Sequence, residues 1–368
     1  MAQESISKTV AVIGAGPAGC ICAKFLSDYG FEVSLFDKGK FLRTLLPTGG
    51  GKCNLANALY DFKELAQNYP RGEKFLYSVF SKFSTSDTLD FFKSIGVETY
   101  TREDNRIFPI SNSAKEVREK LLKSLKCNFI SEEVLKVEEG YKVITNKSKY
   151  FFDIVVIAIG GHSGVDLLKT FDIRTIPQTP SLVGLKTKED FSSLSGVSIN
   201  NVLFTHKGVS GPLIYEISSK KARENFPYKI FLKLVQIDNL QDLLNKNPHK
   251  EIKNLISHFI PKSLAEFVLG SEGNKKCHEI DGKTRDKIIS KLENFEITAT
   301  GKVSEGEVVT CGGVDLKEIN PKTLESKKYK GLYFCGEILD IDGFCGGFNL
   351  QNCWSTGFVV ANAINSVI

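Results

Sequence analysis

Apolar residues in this chain first come in short unbroken blocks and only later in alternation. The run Thr9 to Ile13 predicts a strand, Cys20 to Leu26 a small-residue helix, and Phe31 to Phe36 a second strand. Tyr150 to Ile159 is apolar almost throughout and ends in Gly160-Gly161. A strand apolar on both faces belongs in a buried parallel sheet, so the first sheet resumes after more than a hundred intervening residues. In that interval Phe75, Val79, Phe80 and Phe83 recur on one helical face, followed by Leu89, Phe91, Phe92 and Ile95, which makes residues 60–96 helical. Residues 97–110 read as a short hairpin and Ser113 to Leu125 as a helix. Alternating strands are expected near Cys127–Val137 and Tyr141–Thr145.

Residues 180–235 change to short alternating strands, among them Leu182 to Leu185, Asn201 to Phe204 and Tyr228 to Leu234. Residues 239–293 turn helical and polar, and 295–314 return to strand and glycine. This predicts a β-rich insert with a small helical cap. The chain then resumes its first pattern: Gly331 to Glu337 reads as a buried strand leading to a loop, and Leu350 to Asn365 as a last helix.

At 368 residues and 42% hydrophobic content the chain can bury a large core in two or three domains. The net charge of +5 comes mostly from dispersed lysines. Lys220-Lys221-Ala222-Arg223 is short and lacks interleaved aromatics, so it reads as a solvated helix face, and a nucleic-acid partner is not expected. The first eight residues are polar without a signal-peptide core, and the longest apolar run, Ile154 to Ile159, is far short of the about 20 residues of a membrane span. Nine cysteines without a C-x-x-C fit free thiols in a reducing cytoplasm, with no disulfide and no metal site.

The chemistry begins with Gly14-Ala15-Gly16-Pro17-Ala18-Gly19, which lies between the first strand and helix. The second strand ends on Asp37. Strand, G-x-G-x-x-G, helix, strand and acid follow in the order a dinucleotide site requires. Gly14 permits the turn, Gly16 leaves room for a pyrophosphate, and Gly19 lets helix and strand pack closely. The helix N-terminus offers N–H groups to the phosphates. Asp37 can accept both hydroxyls of an adenosine ribose.

A second glycine-rich stretch runs from Gly336 through Gly343 to Gly346-Gly347-Phe348-Asn349-Leu350-Gln351. A helix starting near Asn349 aims N–H groups at whatever precedes it, and such donors would stabilise negative charge at the N1–C2 edge of a reduced flavin. Glu337 and Asp340 are candidates for ribityl hydroxyls.

On these residues the chain resembles the BaiN/YhiN-like family of FAD-dependent oxidoreductases, the aminoacetone oxidase-like flavoproteins. The resemblance rests on the fingerprint to Asp37, on Thr48 to Asn57, on Phe204 to Pro212 and on Gly331 to Gly357, with further support from Arg106 to Ser111 and Thr310 to Asp315. It implies an α/β fold: a Rossmann-like FAD-binding domain with an inserted small β-barrel and a helical subdomain. The expected boundaries are 1–182 with 313–368 for the FAD domain, 183–238 with 294–312 for the barrel, and 239–293 for the helices. FAD contacts are implied at Gly14, Gly16, Ala18, Gly19, Asp37, Lys38, Arg43, Lys52, Cys53, Asn54, Val134, Gly336, Asp340, Gly347, Phe348, Asn349 and Leu350. The chain departs from the family at Ala158-Ile159-Gly160-Gly161, where threonine is usual, in a shortened segment after Gly161, and at Thr44, where lysine often follows the arginine.

His206 is a candidate acid–base, or a loop histidine that fixes the insert. Lys52 is a candidate cation beside the flavin, or a phosphate ligand. Cys53 and Cys345 lie in glycine loops, as redox thiols or as small apolar residues. Without a second G-x-G-x-x-G there is no dedicated NAD(P)H domain, and NAD(P)H would dock transiently. The expected function is oxidation or reduction of a small organic substrate at the flavin face, by an oxidase of a small amine or an NAD(P)H-fed reductase. The rivals are a flavin-dependent RNA-modifying enzyme and a non-catalytic FAD-binding sensor. The sequence fixes no oligomeric state.

Overall fold

The computed structural model describes residues 8–161, 165–303 and 309–367. Two compact units divide the chain: residues 1–179 with 309–368, and residues 180–308. The segment 309–312, expected in the insert, falls in the first unit.

The first unit is built on β1 (Thr9–Ile13), α1 (Pro17–Asp28), β2 (Glu32–Phe36), β3 (Asn128–Ile130), β4 (Ile154–Ile157), β5 (Leu332–Phe334) and α2 (Phe348–Asn365). The sheet order is β5-β4-β1-β2-β3 and every pairing is parallel. Val12 lies opposite Val156 on one side and Leu35 on the other. All four residues of β4 and all three of β5 are buried, as their unbroken apolar runs demand. From β1 the chain lays β2 and β3 on one side and then β4 and β5 on the other, so the order reverses between β1 and β4. That reversal is where doubly wound sheets bind ligands, beyond the carboxyl ends of the strands. The residues placed there are Gly14, which follows β1, and Ala158 to Gly161, which follow β4.

Helices α1 and α2 pack against each other over this sheet. Their crossing is set by Gly357: a Cβ there would lie 2.5 Å from the Ala18 carbonyl oxygen. Trp354 is fully buried on α2 and donates to the Leu55 carbonyl at 3.0 Å. Phe358 packs edge-on against Phe25 of α1. The predicted helical face at 75–83 appears as the helix Glu73–Phe80, with Leu76, Val79 and Phe80 buried. The 97–110 hairpin pairs Thr99–Thr101 with Arg106–Pro109. The stretch Cys127–Val137 divides: β3 joins the parallel sheet, and Val134–Glu138 starts an antiparallel three-stranded sheet.

The second unit carries a six-stranded antiparallel sheet in the order Ser198–Ile199, Val202–Thr205, Gly208–Ser210, Leu185–Thr187, Phe295–Lys302, Tyr228–Leu232. Asn200, beside the first strand, donates to the carbonyls of Lys233 and Leu234 just past the last one, drawing the two ends of the sheet together. Four helices between Leu240 and Glu293 bury Leu244, Ile256, Leu264 and Ile288 in the core of this unit. Among the described residues no helix is long and apolar enough to cross a membrane.

Candidate flavin site

The glycines of the first turn have separate physical reasons. At Gly14, with φ +106°, a Cβ would sit 2.3 Å from the Ala158 carbonyl oxygen. At Gly19 it would sit 1.9 Å from the Gly14 oxygen. Both are demanded by packing. At Gly16 the nearest atom to a Cβ is Thr44 Oγ1, at 3.8 Å. The protein has no packing reason for glycine there, and the opening lies over the first turn of α1. That helix has Gly16 as its N-cap, no side-chain cap and no acid in its first turn, so no side chain of its own competes for its leading amides.

Asp37 braces the turn: Oδ2 accepts from the Ala15 amide at 2.9 Å and Oδ1 from the Gly39 amide at 2.8 Å. Each carboxylate oxygen has a second lone pair for a ribose hydroxyl. Lys38 is exposed and pairs with Glu133 at 3.1 Å, next to Val134. The following loop folds back over the turn, with the Leu42 amide donating to the Ala15 carbonyl at 2.7 Å. It leaves Arg43 and Lys52 exposed. Gly49, Gly50 and Gly51 have φ of 58°, 66° and 85°, and Cys53 shares that left-handed region at φ 63°. Cys53 is fully buried, and burial pushes its thiol up to about 12, so it is a neutral packing residue. Asn54, with its amide oriented to satisfy its neighbours, donates to the Ile107 and Ala56 carbonyls and accepts from the Gly347 amide.

The C-terminal block meets both of these loops. A Cβ on Gly336 would lie 2.7 Å from the Ala18 Cβ, and one on Gly347 would lie 2.3 Å from the Ala56 carbonyl oxygen. Asn57 donates to the Gly346 carbonyl at 3.1 Å. Glu337 and Asp340 accept from the Thr310 amide at 2.6 Å and the Gly312 amide at 3.0 Å. Asn349 spends its amide on the preceding turn, accepting from the Gly343 N–H and donating to its carbonyl, each at 2.8 Å. The Phe348 ring is buried against Tyr69, whose hydroxyl donates to the Phe348 carbonyl at 2.5 Å. Leu350 follows in the first turn of α2, a helix that, like α1, lacks a side-chain cap and a first-turn acid.

The structure thus assembles in one unit the three glycine blocks that lie far apart in sequence. His206 is placed in the other unit, exposed in the turn between Val202–Thr205 and Gly208–Ser210. The shortened segment after Gly161 lies in part, at 162–164, outside the described residues. Sequence inspection missed Arg71, whose guanidinium forms a two-point pair with the fully buried Asp342. Nothing near Pro70-Arg71-Gly72 signals this. Among the described residues no three His, Cys, Asp or Glu side chains are grouped to hold a metal ion.

The HI0933-like protein Rossmann domain family matches residues 8–363. The chain belongs to this family. Membership makes it an FAD-dependent oxidoreductase, the class its sequence resemblance implied, and the residues fit the cofactor: an open cradle at Gly16, uncapped helix N-termini on α1 and α2, and Asp37 at the end of β2. The HI0933-like chain is 28% identical to a ribosomal RNA dihydrouridine synthase of Escherichia coli, over 95% of its own length and 96% of the relative's. It is 29% identical to one of Haemophilus influenzae, over 96% and 98%. It is 27% identical to a 3-dehydro-bile acid delta(4,6)-reductase of Clostridium scindens, over 96% and 98%. Its fold resembles a flavocytochrome c3 fumarate reductase with a TM-score of 0.54 at 14% identity, covering 98% of this chain and 78% of the other.

Of its nine free cysteines, Cys345 is exposed. Two more are partly exposed: burial pushes Cys127 up to about 11 and raises Cys353 further. Ellman's reagent at neutral to mildly alkaline pH is therefore expected to react rapidly with one thiol per folded chain, and Cys345→Ser should remove that phase. A second fast thiol in the folded protein would contradict the burial described.

Proposed function

We propose that this protein is an FAD-dependent reductase of a carbon–carbon double bond conjugated to a carbonyl, and that its substrate is a uridine ring in ribosomal RNA. The observation that carries the reading is the end-to-end match to two ribosomal RNA dihydrouridine synthases. The bile-acid reductase, matched over nearly the same span, also saturates a carbon–carbon double bond, so the bond chemistry agrees although the substrates differ. This favours the reductase over the amine oxidase, and RNA over the small substrate first expected.

Bound FAD would supply the hydride. The protein supplies the rest. The amides of the first turn of α1 and the opening at Gly16 would hold the pyrophosphate. Asp37 would take the adenosine ribose, with Lys38 and Val134 toward the adenine end. Arg43, Lys52, Cys53 and Asn54 would line the cofactor along the glycine loop. Gly336, Asp340 and the backbone of Gly347 to Leu350 would hold the ribityl and flavin ends. The leading amides of α2 would favour negative charge on a reduced ring. Addition across the double bond also needs a proton on the neighbouring carbon, and Lys52 and His206 are the candidate donors. NAD(P)H would act as a transient reductant.

The test uses FAD-loaded protein under anaerobic conditions with NADPH or NADH. Incubation with ribosomal RNA should yield dihydrouridine, read by mass spectrometry of the digested nucleosides. Reduction of a steroid dienone without any dihydrouridine would instead establish the small-molecule reading. Flavin reduction by amines alone, with peroxide formed in air, would restore the oxidase.

A further inference from the structure

We propose that the edge formed by residues 220–233 of the second unit binds single-stranded RNA, with aromatic rings stacking on bases and lysines contacting phosphates. The proposal rests on the RNA-reductase reading above and adds a surface to it. The Lys220 to Arg223 run, taken alone, reads as a solvated helix end. The structure continues it into a different object. Five of these fourteen residues are Lys or Arg, against one acid, Glu224, and Phe226, Tyr228 and Phe231 are interspersed among them.

The geometry exposes that pattern. Tyr228–Leu232 is the terminal strand of the six-stranded sheet. Strand alternation buries Ile230 and Leu232 and turns Lys229, Phe231 and Lys233 outward, with Phe231 59% exposed. At the start of the strand, on the face of the buried Ile230 and Leu232, Phe226 and Tyr228 are half-buried against the core and stack with centroids 5.0 Å apart, with the Lys221 ammonium 5.0 Å from the Tyr228 ring. Single exposed aromatics are common on protein surfaces. An outward phenylalanine between two outward lysines is the combination that single-stranded nucleic acids use, an aromatic face for a base and cations for the phosphates. Lysines at a helix end can also serve the helix dipole, but Lys229 and Lys233 are on or beside a strand and have no such role. Three acids pair with these lysines: Glu216 with Lys220 and Glu224 with Lys221, each at 2.7 Å, and Glu296 with Lys229 at 2.8 Å. Exposed pairs of this kind contribute little, so a phosphate can displace them.

The experiment measures binding of a fluorescent uridine-rich RNA of about 12 nucleotides to the full FAD-loaded chain. Phe231→Ala should weaken binding about five- to a hundredfold, and Phe231→Trp should restore it. The double change Lys229→Ser with Lys233→Ser should weaken binding and flatten the slope of log K against log salt by about 1.4, at roughly 0.7 per lost phosphate contact. FAD content and thermal midpoint should not move, since the replaced side chains are exposed. Wild-type affinity and salt slope in these variants would overturn the proposal. Dihydrouridine assays on the same proteins separate the two ideas. Product formation by every variant, with unchanged RNA binding, removes this surface and keeps the reductase. A wild-type protein that forms no dihydrouridine, yet loses RNA binding on these substitutions, keeps the surface and removes the reductase.

Discussion

Gly16→Val is expected to abolish FAD binding, by about a hundredfold or more in affinity, while the chain stays folded. The backbone at Gly16 has φ −78° and ψ −174°, an extended conformation that valine adopts readily. The space around its missing Cβ is also open to 3.8 Å. The substitution therefore costs the fold little. Its methyl groups would stand in the opening over the leading amides of α1, where the pyrophosphate is proposed to sit. Gly19→Ala is the control with the opposite outcome, because its Cβ would lie 1.9 Å from a carbonyl oxygen. That variant should lose stability first. Flavin absorbance per chain and a thermal melt decide both, and the cofactor released by heating the unmodified protein should be FAD. A Gly16→Val protein carrying stoichiometric FAD would place the site elsewhere.

Asp342→Ala is expected to cost about 3–5 kcal/mol of stability, because removing one partner leaves the other charge buried and unpaired. The Asp342 side chain is fully buried and that of Arg71 is 13% exposed. For a unit of this size the melting temperature should fall by about 6–20 °C. Asp340→Ala should behave differently. Asp340 is only partly buried, and its loss should lower FAD affinity about ten- to a hundredfold with a small change in melting temperature. If the two variants exchange these effects, the assignment of the two acids is reversed.

The contrast between these aspartates marks what the chain discloses before folding. Gly14, Gly16 and Gly19 could be assigned separate roles because strand, turn and helix are contiguous, and local spacing carries the geometry. The parallel strands β1, β4 and β5 were legible for a similar reason, since burial on both faces leaves an unbroken apolar run, and β2 from its place between the first helix and Asp37. Strand β3 was folded into a longer alternating stretch, because a three-residue edge strand has too few positions to show a period. Asp340 and Asp342 are indistinguishable by spacing. Arg71, remote in sequence, makes one of them a buried structural ion. Asn349 looked like a ligand residue and turns its amide to its own turn, which only the closed loop reveals. The charged run at 220 reads by itself as a solvated helix face, because the aromatics the proposal adds to it come later in the chain.

The close crossing of α1 and α2 at Ala18 and Gly357 sets an order of events in the making of the protein. The glycine turn that opens the nucleotide site precedes, by more than three hundred residues, the helix that packs against it. Until α2 emerges, the surface of α1 at Ala18, Ile21 and Cys22 lacks the partner it meets at Gly357. Contacts so distant in sequence form late and leave surface exposed in the meantime. With α2 supplying part of the proposed flavin site, cofactor capture is therefore expected to wait for that helix. An interruption of synthesis before residue 348 would yield a product unable to keep flavin, however intact its opening fingerprint.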